Sequence, residues 1–384
     1  MSNTLTGLIP TIYAGLSQVS RELIGFIPNV SRDSTAESGA VGQVVRSPVA
    51  PQNTLEDIVP GRNPADTGDQ TMEYFDVSLT KAKAYPIRWS GEEQLSVGPN
   101  GIINNLLAQQ FEQGFRTIAN AVEADLGLEY RNAGRAYGTP GTTPFATADD
   151  HSDFAEMNRI LDEHGAPQGN RVMIVGSAAR AKLEGKQASL FKVNESGDDG
   201  ALLRNRDMRQ LHGFTMGFSA GIKGHTAGTA SGYLTDLLAG YAAGDTNIHL
   251  DTGTGDFLAG DSVSFAGNSA KYILGASPGD GDIDIVLNGD GLIDTLATDA
   301  LLTRDASYTA NMAFHESALL LAARAPAMPD GGDSAEDVIT VTDPLSGLSF
   351  QVAMYREYRR IKYEIGLVWG TASPNPKWSG VLQG

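Results

Sequence analysis

The chain has 384 residues, carries 46 acidic against 28 basic side chains for a net charge of −18, and contains no cysteine. Disulfides, thiolate nucleophiles and cysteine-ligated metal centres are thereby excluded, and so acidic a chain repels a phosphate backbone, which disfavours tight nucleic-acid binding. A hydrophobic fraction of 41% with 19% charged residues is ordinary globular composition, sufficient for two or three domains with real cores. The first basic residue is Arg21, so the positive start of a secretory leader is not expected. No run approaches the roughly 18 apolar residues of a membrane span. The expectation is a soluble protein made in the cytosol.

Leu8, Ile9, Ile12, Leu16, Val19, Leu23 and Ile24 recur at helical spacing, with Pro10 and Pro28 near the two ends, and predict an amphipathic N-terminal arm. Residues 31–70 hold Pro48, Pro51, Pro60 and Pro64 with little periodicity and predict an irregular connection. So long a loop is expected to be ordered by something outside its own chain, such as a neighbouring copy. Phe75, Val77 and Leu79 alternate with polar residues, and Ile87 and Trp89 repeat the pattern after Pro86, which predicts two strands in one long hairpin. Ile103, Leu107, Phe111, Phe115, Ile118, Val122 and Leu126 then mark one face of a long helix over 101–130, weakened at Gly114 by about 1 kcal/mol.

Ser152 is a candidate cap for a second helix carrying Phe154, Met157, Ile160 and Leu161 and stopped by Gly165. Val172 to Val175 predict a strand, and Gly176-Ser177 opens a helix through Leu183, a step of a mixed α/β layer. At about residue 222 the composition changes. Between Lys223 and Ala310, twelve aspartates and no glutamate stand against three basic residues, leaving −9, and 14 glycines are present. Asp and Gly form turns whereas Glu favours helix, so this segment predicts a small β-barrel domain. Its strands are expected at 247–250, 261–265, 272–274 and 283–287. Helix is expected to return at Phe314 to Ala323, followed by strand alternation at Ile361, Tyr363, Ile365, Leu367 and Trp369. The barrel segment is thus read as inserted, not appended.

Several patterns could carry chemistry. Gly217-Phe218-Ser219-Ala220-Gly221 fits the nucleophile elbow of a serine hydrolase, but the Gly, Thr and Ala run that follows is a poor helix, which favours a linker. Asp280-Gly281-Asp282-Ile283-Asp284 suggests a calcium loop and, with it, a calcium-dependent extracellular adhesin. The required glycine and glutamate would fall at Ile285 and Gly291, so a hairpin is favoured. Asp251, Asp256 and Asp261 are read as turn residues. The six histidines, His151, His164, His212, His225, His249 and His315, form no metal-binding pair in sequence, and Gly224, Gly228 and Gly232 lie in a linker. Arg356, Arg359, Arg360 and Lys362, interleaved with Tyr355, Tyr358 and Tyr363, could bind a single strand, but in an acidic protein they are better read as partners for an acidic neighbouring subunit.

Taken in order, arm, hairpin, long helix, α/β layer and strand-rich return resemble the α+β Hong Kong 97 type fold of tailed-bacteriophage major capsid proteins. Gly260-Asp-Ser-Val-Ser-Phe-Ala-Gly267 is similar to a segment of the inserted domain in coat proteins of short-tailed enteric phages. Asn311-Met-Ala-Phe-His-Glu-Ser-Ala318, leading to Ala323-Arg324-Ala325-Pro326, resembles the helix and turn after that insertion, and Gly366 to Asn375 resembles their closing strand. The resemblance implies an N-terminal arm (1–48), an extended loop hairpin (49–98), a spine helix with the first part of a peripheral and axial domain (99–222), an inserted β domain (223–310) and return strands (311–384). It implies a non-enzymatic structural protein without catalytic, cofactor or metal residues. It further implies an icosahedral head of hexamers and pentamers around double-stranded DNA, assembled as a procapsid in the bacterial cytoplasm. The implied partners are other copies of the chain, a scaffolding protein and a portal protein, with a decoration protein as a further candidate. That family's inserted domain bridges capsomers through a charged loop. Here Thr226 to Ala243 holds only Asp236, so no bridging residue is carried over.

Overall fold

The computed structural model of the chain describes residues 25–49, 73–97, 100–187, 208, 210–342 and 347–384. The amphipathic arm to Ile24 and residues 50–72 of the proline-rich connection lie outside them. After a 3-10 turn at Ile27–Asn29, the chain forms β1 (Ser31–Gly39) and β2 (Val44–Val49), where irregular backbone was expected. The polar sequence of β1 gives no local signal, because its pairing partner lies almost 300 residues away. Pro48 is accommodated in β2, which among the described residues pairs with β3 alone.

The two expected strands, β3 (Glu73–Ser78) and β4 (Lys81–Ser90), form but do not pair with each other. Instead β3 runs antiparallel to β2 as a separate two-stranded ribbon, with Val44 opposite Ser78 and Val49 opposite Glu73. The link between β3 and β4 dives inward: Leu79 is fully buried beside Val77, Leu320, Ala322 and Val368, so the chain cannot fold straight back on itself.

A short helix, α1 (Gly91–Val97), precedes α2 (Asn100–Leu126), which continues as a 3-10 segment to Asn132. Leu107, Phe111, Phe115, Ile118, Val122 and Leu126 are buried, as the spacing requires. Phe111 meets Tyr363 edge-on at 5.5 Å and Phe115 meets Phe350 at 5.1 Å, each ring contributing about 2–3 kcal/mol by burial. The contact explains Gly114. A Cβ there would stand 2.6 Å from Ile365 Cδ1 and 2.9 Å from the Tyr85 ring, so the glycine lets the helix lie directly on its sheet.

The mixed layer comprises β5 (Arg135–Tyr137), α3 (Ser152–Glu163), β6 (Arg171–Val175), α4 (Ser177–Lys186), β7 (Gln210–Leu211) and β8 (Phe214–Phe218). Phe154, Met157, Ile160 and Leu161 are buried on α3, and Gly165 beyond it takes a φ of 66°. Ser152 is not the cap. It is the first helical residue, its N–H donates to Asp150 Oδ1, and His151 occupies the N-cap position.

Seven short strands follow: β9 (Gly224–His225), β10 (Leu234–Thr235), β11 (Asn247–Asp251), β12 (Ser262–Phe265), β13 (Lys271–Ile273), β14 (Ile283–Val286) and β15 (Leu302–Arg304). From β10 to β15 the pairings run in a ring. β10 pairs with β11 and β11 with β14, a Leu274–Leu287 bridge joins β14 to β13, β13 pairs with β12 and β12 with β15, and a Leu234–Leu301 bridge returns to β10. The ring encloses its own core of Ile248, Leu250, Phe257, Val263, Tyr272, Ile285 and Leu287. It is also fused to the body, because β13 pairs with β5.

The chain closes with β16 (Tyr308–His315), β17 (Leu320–Pro326), β18 (Asp337–Thr342), β19 (Ser349–Glu357), β20 (Arg360–Ala372) and β21 (Ser379–Gln383). The helix expected at 314–323 is absent: the end of β16, a 3-10 turn at Glu316–Ala318 and the start of β17 take its place. β17 lies between β1 and β20 with Leu320 to Ala325 all buried. An apolar run buried on both faces has no strand period to distinguish it from helix. A ten-stranded sheet runs β15-β12-β13-β5-β21-β16-β6-β8-β7 with β9 on β16, and a six-stranded sheet runs β1-β17-β20-β19-β18 with β4 on β20.

Candidate functional site at the end of the long helix

The last turns of α2 carry Glu123 and Asp125 and no basic residue in the final turn, and Glu129 follows in the 3-10 segment. A helix C-terminus bears partial negative charge and favours cations by about 0.3–1 kcal/mol. Each of these acids therefore depends on a partner elsewhere in the fold. Sequence reasoning passed over all three, although acids placed against the helix dipole were the available signal.

Glu123 is 2% exposed. Its Oε1 accepts from the backbone N–H groups of Phe26 and Ile27, both at 2.9 Å, and its Oε2 accepts from Ser219 Oγ at 2.6 Å. Ser219 Oγ in turn accepts from Gly221 N at 2.9 Å. Burial pushes the Glu123 carboxyl above its ordinary pKa, and these hydrogen bonds oppose the push without reversing it. The clamped segment is core: Phe26, Ile27 and Val30 are buried, and Phe26 stacks on Phe314 at 6.2 Å. Asp125 accepts from Lys81 Nζ at 2.6 Å and Trp369 Nε1 at 2.8 Å, and Glu129 accepts from Thr371 Oγ1 at 2.6 Å.

Tyr130, at the same end, begins a buried chain into the barrel. Its hydroxyl lies 2.9 Å from His225 Nδ1, and His225 Nε2 lies 2.7 Å from Asp261 Oδ1. A carboxylate acceptor calls for a ring hydrogen on Nε2, and in the Nε2–H tautomer Nδ1 accepts from Tyr130. Asp261 is fully buried and also accepts from Leu258 N at 2.8 Å and Gly228 N at 3.1 Å, so it is a junction and not a surface turn residue. Gly228 is part of that junction, and Gly224 pairs in β9, so the linker is partly ordered strand. Tyr308 donates to Gly260 O at 2.6 Å, and burial drives its phenol pKa upward.

These groups satisfy one another, so the arrangement holds elements together. Ser219 does follow a strand, but no helix succeeds it, and its hydroxyl donates to the buried Glu123 and accepts from Gly221 N, with no histidine among these partners. A cavity of about 170 Å³ beside it is lined in part by Gly176, Ser177, Ile222 and Asn311. The calcium-loop aspartates are diverted as well. Asp280 accepts from Gly255 N at 2.8 Å, while Asp282 and Asp284 flank His249 at 2.7 Å and 2.8 Å. Among the described residues no group of three or more His, Asp or Glu is arranged to hold a metal ion.

The remaining histidines are dispersed. His151 and His212 lie 4.8 Å apart between ring centres, His164 faces Asp290 at 3.3 Å, and His315 packs edge-on against Trp378. In the basic cluster, Arg356 pairs with Glu336 at 2.5 Å, Lys362 pairs with Glu364 at 2.5 Å, and Tyr363 is buried. Half of the basic set is therefore engaged within the chain. Arg359, at a φ of 58°, and the exposed Tyr358 form the hairpin tip.

No protein-family model matches the sequence, and no curated protein matches it. Among solved structures, the chain is similar to one from Mycobacterium phage Che8, at 15% identity over 90% of this chain and 85% of that one, with a TM-score of 0.45. It is similar to a chain of the capsid of cyanophage P-SCSP1u, at 8% identity over 92% and 86%, with a TM-score of 0.47. A third is the virus-like particle from Pyrococcus furiosus, at 10% identity over 97% and 98%, with a TM-score of 0.42. Identities this low carry no residue-by-residue correspondence.

Proposed function

We propose that the chain is a structural shell subunit, the major capsid protein of a tailed double-stranded DNA bacteriophage, without a catalytic role. The observation that carries this reading is the β2–β3 ribbon. It forms a two-stranded sheet of its own, anchored to the body through Val77 but with Val44 and Tyr74 exposed, and a two-stranded ribbon is marginal in water without further packing. Such an element gains stability from neighbouring copies, as obligate interfaces do. The elements also follow one another in the order that the sequence resemblance implies: ribbon, long helix, mixed layer, strand ring and return strands. That the similar solved chains include those of a phage capsid and a virus-like particle agrees with the reading without carrying it.

In this reading the copies form hexamers and pentamers of an icosahedral head, assembled in the host cytoplasm with scaffolding and portal proteins, and residues 223–310 act as an inserted domain at contacts between subunits. The test is assembly. The purified chain, concentrated alone and with a scaffolding protein, should yield regular shells or curved lattices by negative-stain microscopy and fast-sedimenting species in a gradient. A chain that stays monomeric across both conditions refutes the proposal.

A further inference from the structure

Two surfaces of the chain display apolar side chains on a firmly built backbone. The first is the turn after β10. Gly240 N donates to Leu237 O at 2.7 Å, and Tyr241 exchanges backbone hydrogen bonds with Leu296 at 2.8 Å and 2.9 Å, which fixes the turn to the barrel. The turn requires its glycine: Gly240 has a φ of 68°, and a Cβ there would stand 2.5 Å from Leu296 O. Leu238 in this turn is 93% exposed, with Leu237 exposed beside it. The second surface is the β19–β20 hairpin tip, where Tyr358 is 89% exposed. Gly91 N donates to Arg359 O at 3.2 Å and brings the start of α1 against the tip. No residue of α1 is buried, and its Leu95 is exposed.

The two surfaces differ in charge. Between Lys223 and Arg304 the one Lys or Arg is Lys271, and it is committed to Asp305 at 2.8 Å. Asp236 adjoins the leucine turn, and Asp299, whose N–H donates to Thr235 O at 2.9 Å, is held next to it; both are exposed. The tip instead carries exposed Arg88, Arg359 and Arg360. Of its acids, Glu92 is exposed on α1, Glu93 accepts from Ser90 N at 2.8 Å and Ser90 Oγ at 2.9 Å, and Glu357 stands opposite Arg360 in the strand register. Tyr358 and Arg359 form the turn itself, so an aromatic ring and a cation lead the tip. Trp89, next to the tip, donates to Gln110 of α2 at 2.8 Å, whereas the barrel is reached from Tyr130, about 30 Å further along the same rod.

We propose that the Tyr358–Arg359 tip of one copy docks on the Leu237–Leu238 turn of the next, with apolar side chains at the centre and Arg359 against Asp236 and Asp299 at the rim. Charge sets the occupant. Two leucine turns face to face would oppose aspartates, two tips would oppose arginines, and like charges across an interface are unfavourable. Tip on turn pairs opposite signs. A contact between unlike surfaces repeats from copy to copy and closes into a ring when its rotation allows. The contact rests on the shell reading above and supplies one of the interfaces that reading calls for.

The chain has no cysteine, so single cysteines report proximity without background. Leu238→Cys and Tyr358→Cys, each alone and mixed in equal amounts under assembly conditions, are treated with a short bismaleimide and separated on denaturing gels, with the parent chain sedimented in parallel. Covalent dimers are expected from the mixture and from neither variant alone. Dimers from one variant alone, or none from the mixture while the parent forms shells, overturn the contact and leave the shell reading standing. A parent that stays monomeric removes both. Should a cysteine variant not assemble, Arg359→Asp decides: it should slow shell formation several-fold and weaken its dependence on salt, and an unchanged rate overturns the contact.

Discussion

Asp261→Ala removes in one step the buried acceptor of three donors: His225 Nε2–H at 2.7 Å, buried, and Leu258 N at 2.8 Å and Gly228 N at 3.1 Å, both partly buried. Leaving one buried donor unpaired costs about 1–3 kcal/mol, and opening a buried charged network about 3–5 kcal/mol, so a loss near 4 kcal/mol is expected once partial relaxation is allowed. The loss should appear first at the junction of barrel and body, because the three donors come from β9, the connection after it and the loop before β12. At about 1.4 kcal/mol per tenfold, the amides of Gly228 and Leu258 should exchange roughly two hundred to several thousand times faster. Tyr130→Phe deletes a single neutral hydrogen bond at the far end of the same chain and should cost about 1 kcal/mol. The pair of variants, compared by urea denaturation and by hydrogen exchange, separates a network from isolated contacts. If Asp261→Ala proves no more costly than Tyr130→Phe, the buried junction is not what holds the barrel to the helix.

Three further outcomes follow from local geometry. Gly370→Ala would drive a Cβ into the backbone carbonyl of Ser78, where nothing flexible can yield, and should lower stability by about 1–3 kcal/mol; Gly279→Ala, facing open space, should be neutral or mildly stabilising in the same thermal melts. Arg171→Met should cost about 2–4 kcal/mol in urea titrations, because the buried guanidinium donates to Pro167 O, Asn158 Oδ1, Asp162 Oδ1 and Ala166 O, leaving those acceptors without their donor. His249 is held above its ordinary imidazole pKa by its hydrogen bond to Asp284 and by the nearby charges of Asp282 and Asp236. Its stabilising contribution is therefore complete below the free imidazole value of about 6.5 and lost as pH rises through the raised value, so His249→Gln should flatten the melting curve against pH on the alkaline side only.

The long helix was legible because six buried side chains repeat on one face and nothing in the turns competes. The strands of the barrel were legible because Asp-Gly and Asn-Gly turns punctuate short apolar runs. What escaped was set at a distance. β1 is a polar segment made into a strand by β17, and Leu320 to Ala323 form an apolar run whose burial on both faces erases its period. The hairpin expected from Phe75 to Trp89 has the right strands and the wrong pairing, because the choice between β2 and β4 as partner depends on where Leu79 is buried. The polar site was missed for a different reason. The search for chemistry sought residue types close in sequence, whereas Glu123 meets its partners across 96 and 97 positions.

The acids at the end of α2 acquire meaning only together. Each sits where the helix dipole disfavours it, and each is compensated from elsewhere in the chain: the arm root at Glu123, β4 and β20 at Asp125, β20 again at Glu129. Tyr130 adds the barrel through His225 and Asp261. Exchanging any one of these acids for lysine would suit the isolated helix and break a long-range connection, so local propensity has been given up in favour of tertiary attachment. Arm, sheet and barrel are all secured at one end of the helix. The helix also lies on the sheet further back, through Phe111 against Tyr363 and Phe115 against Phe350, so the sheet is held along its length while the arm root and barrel join at its end.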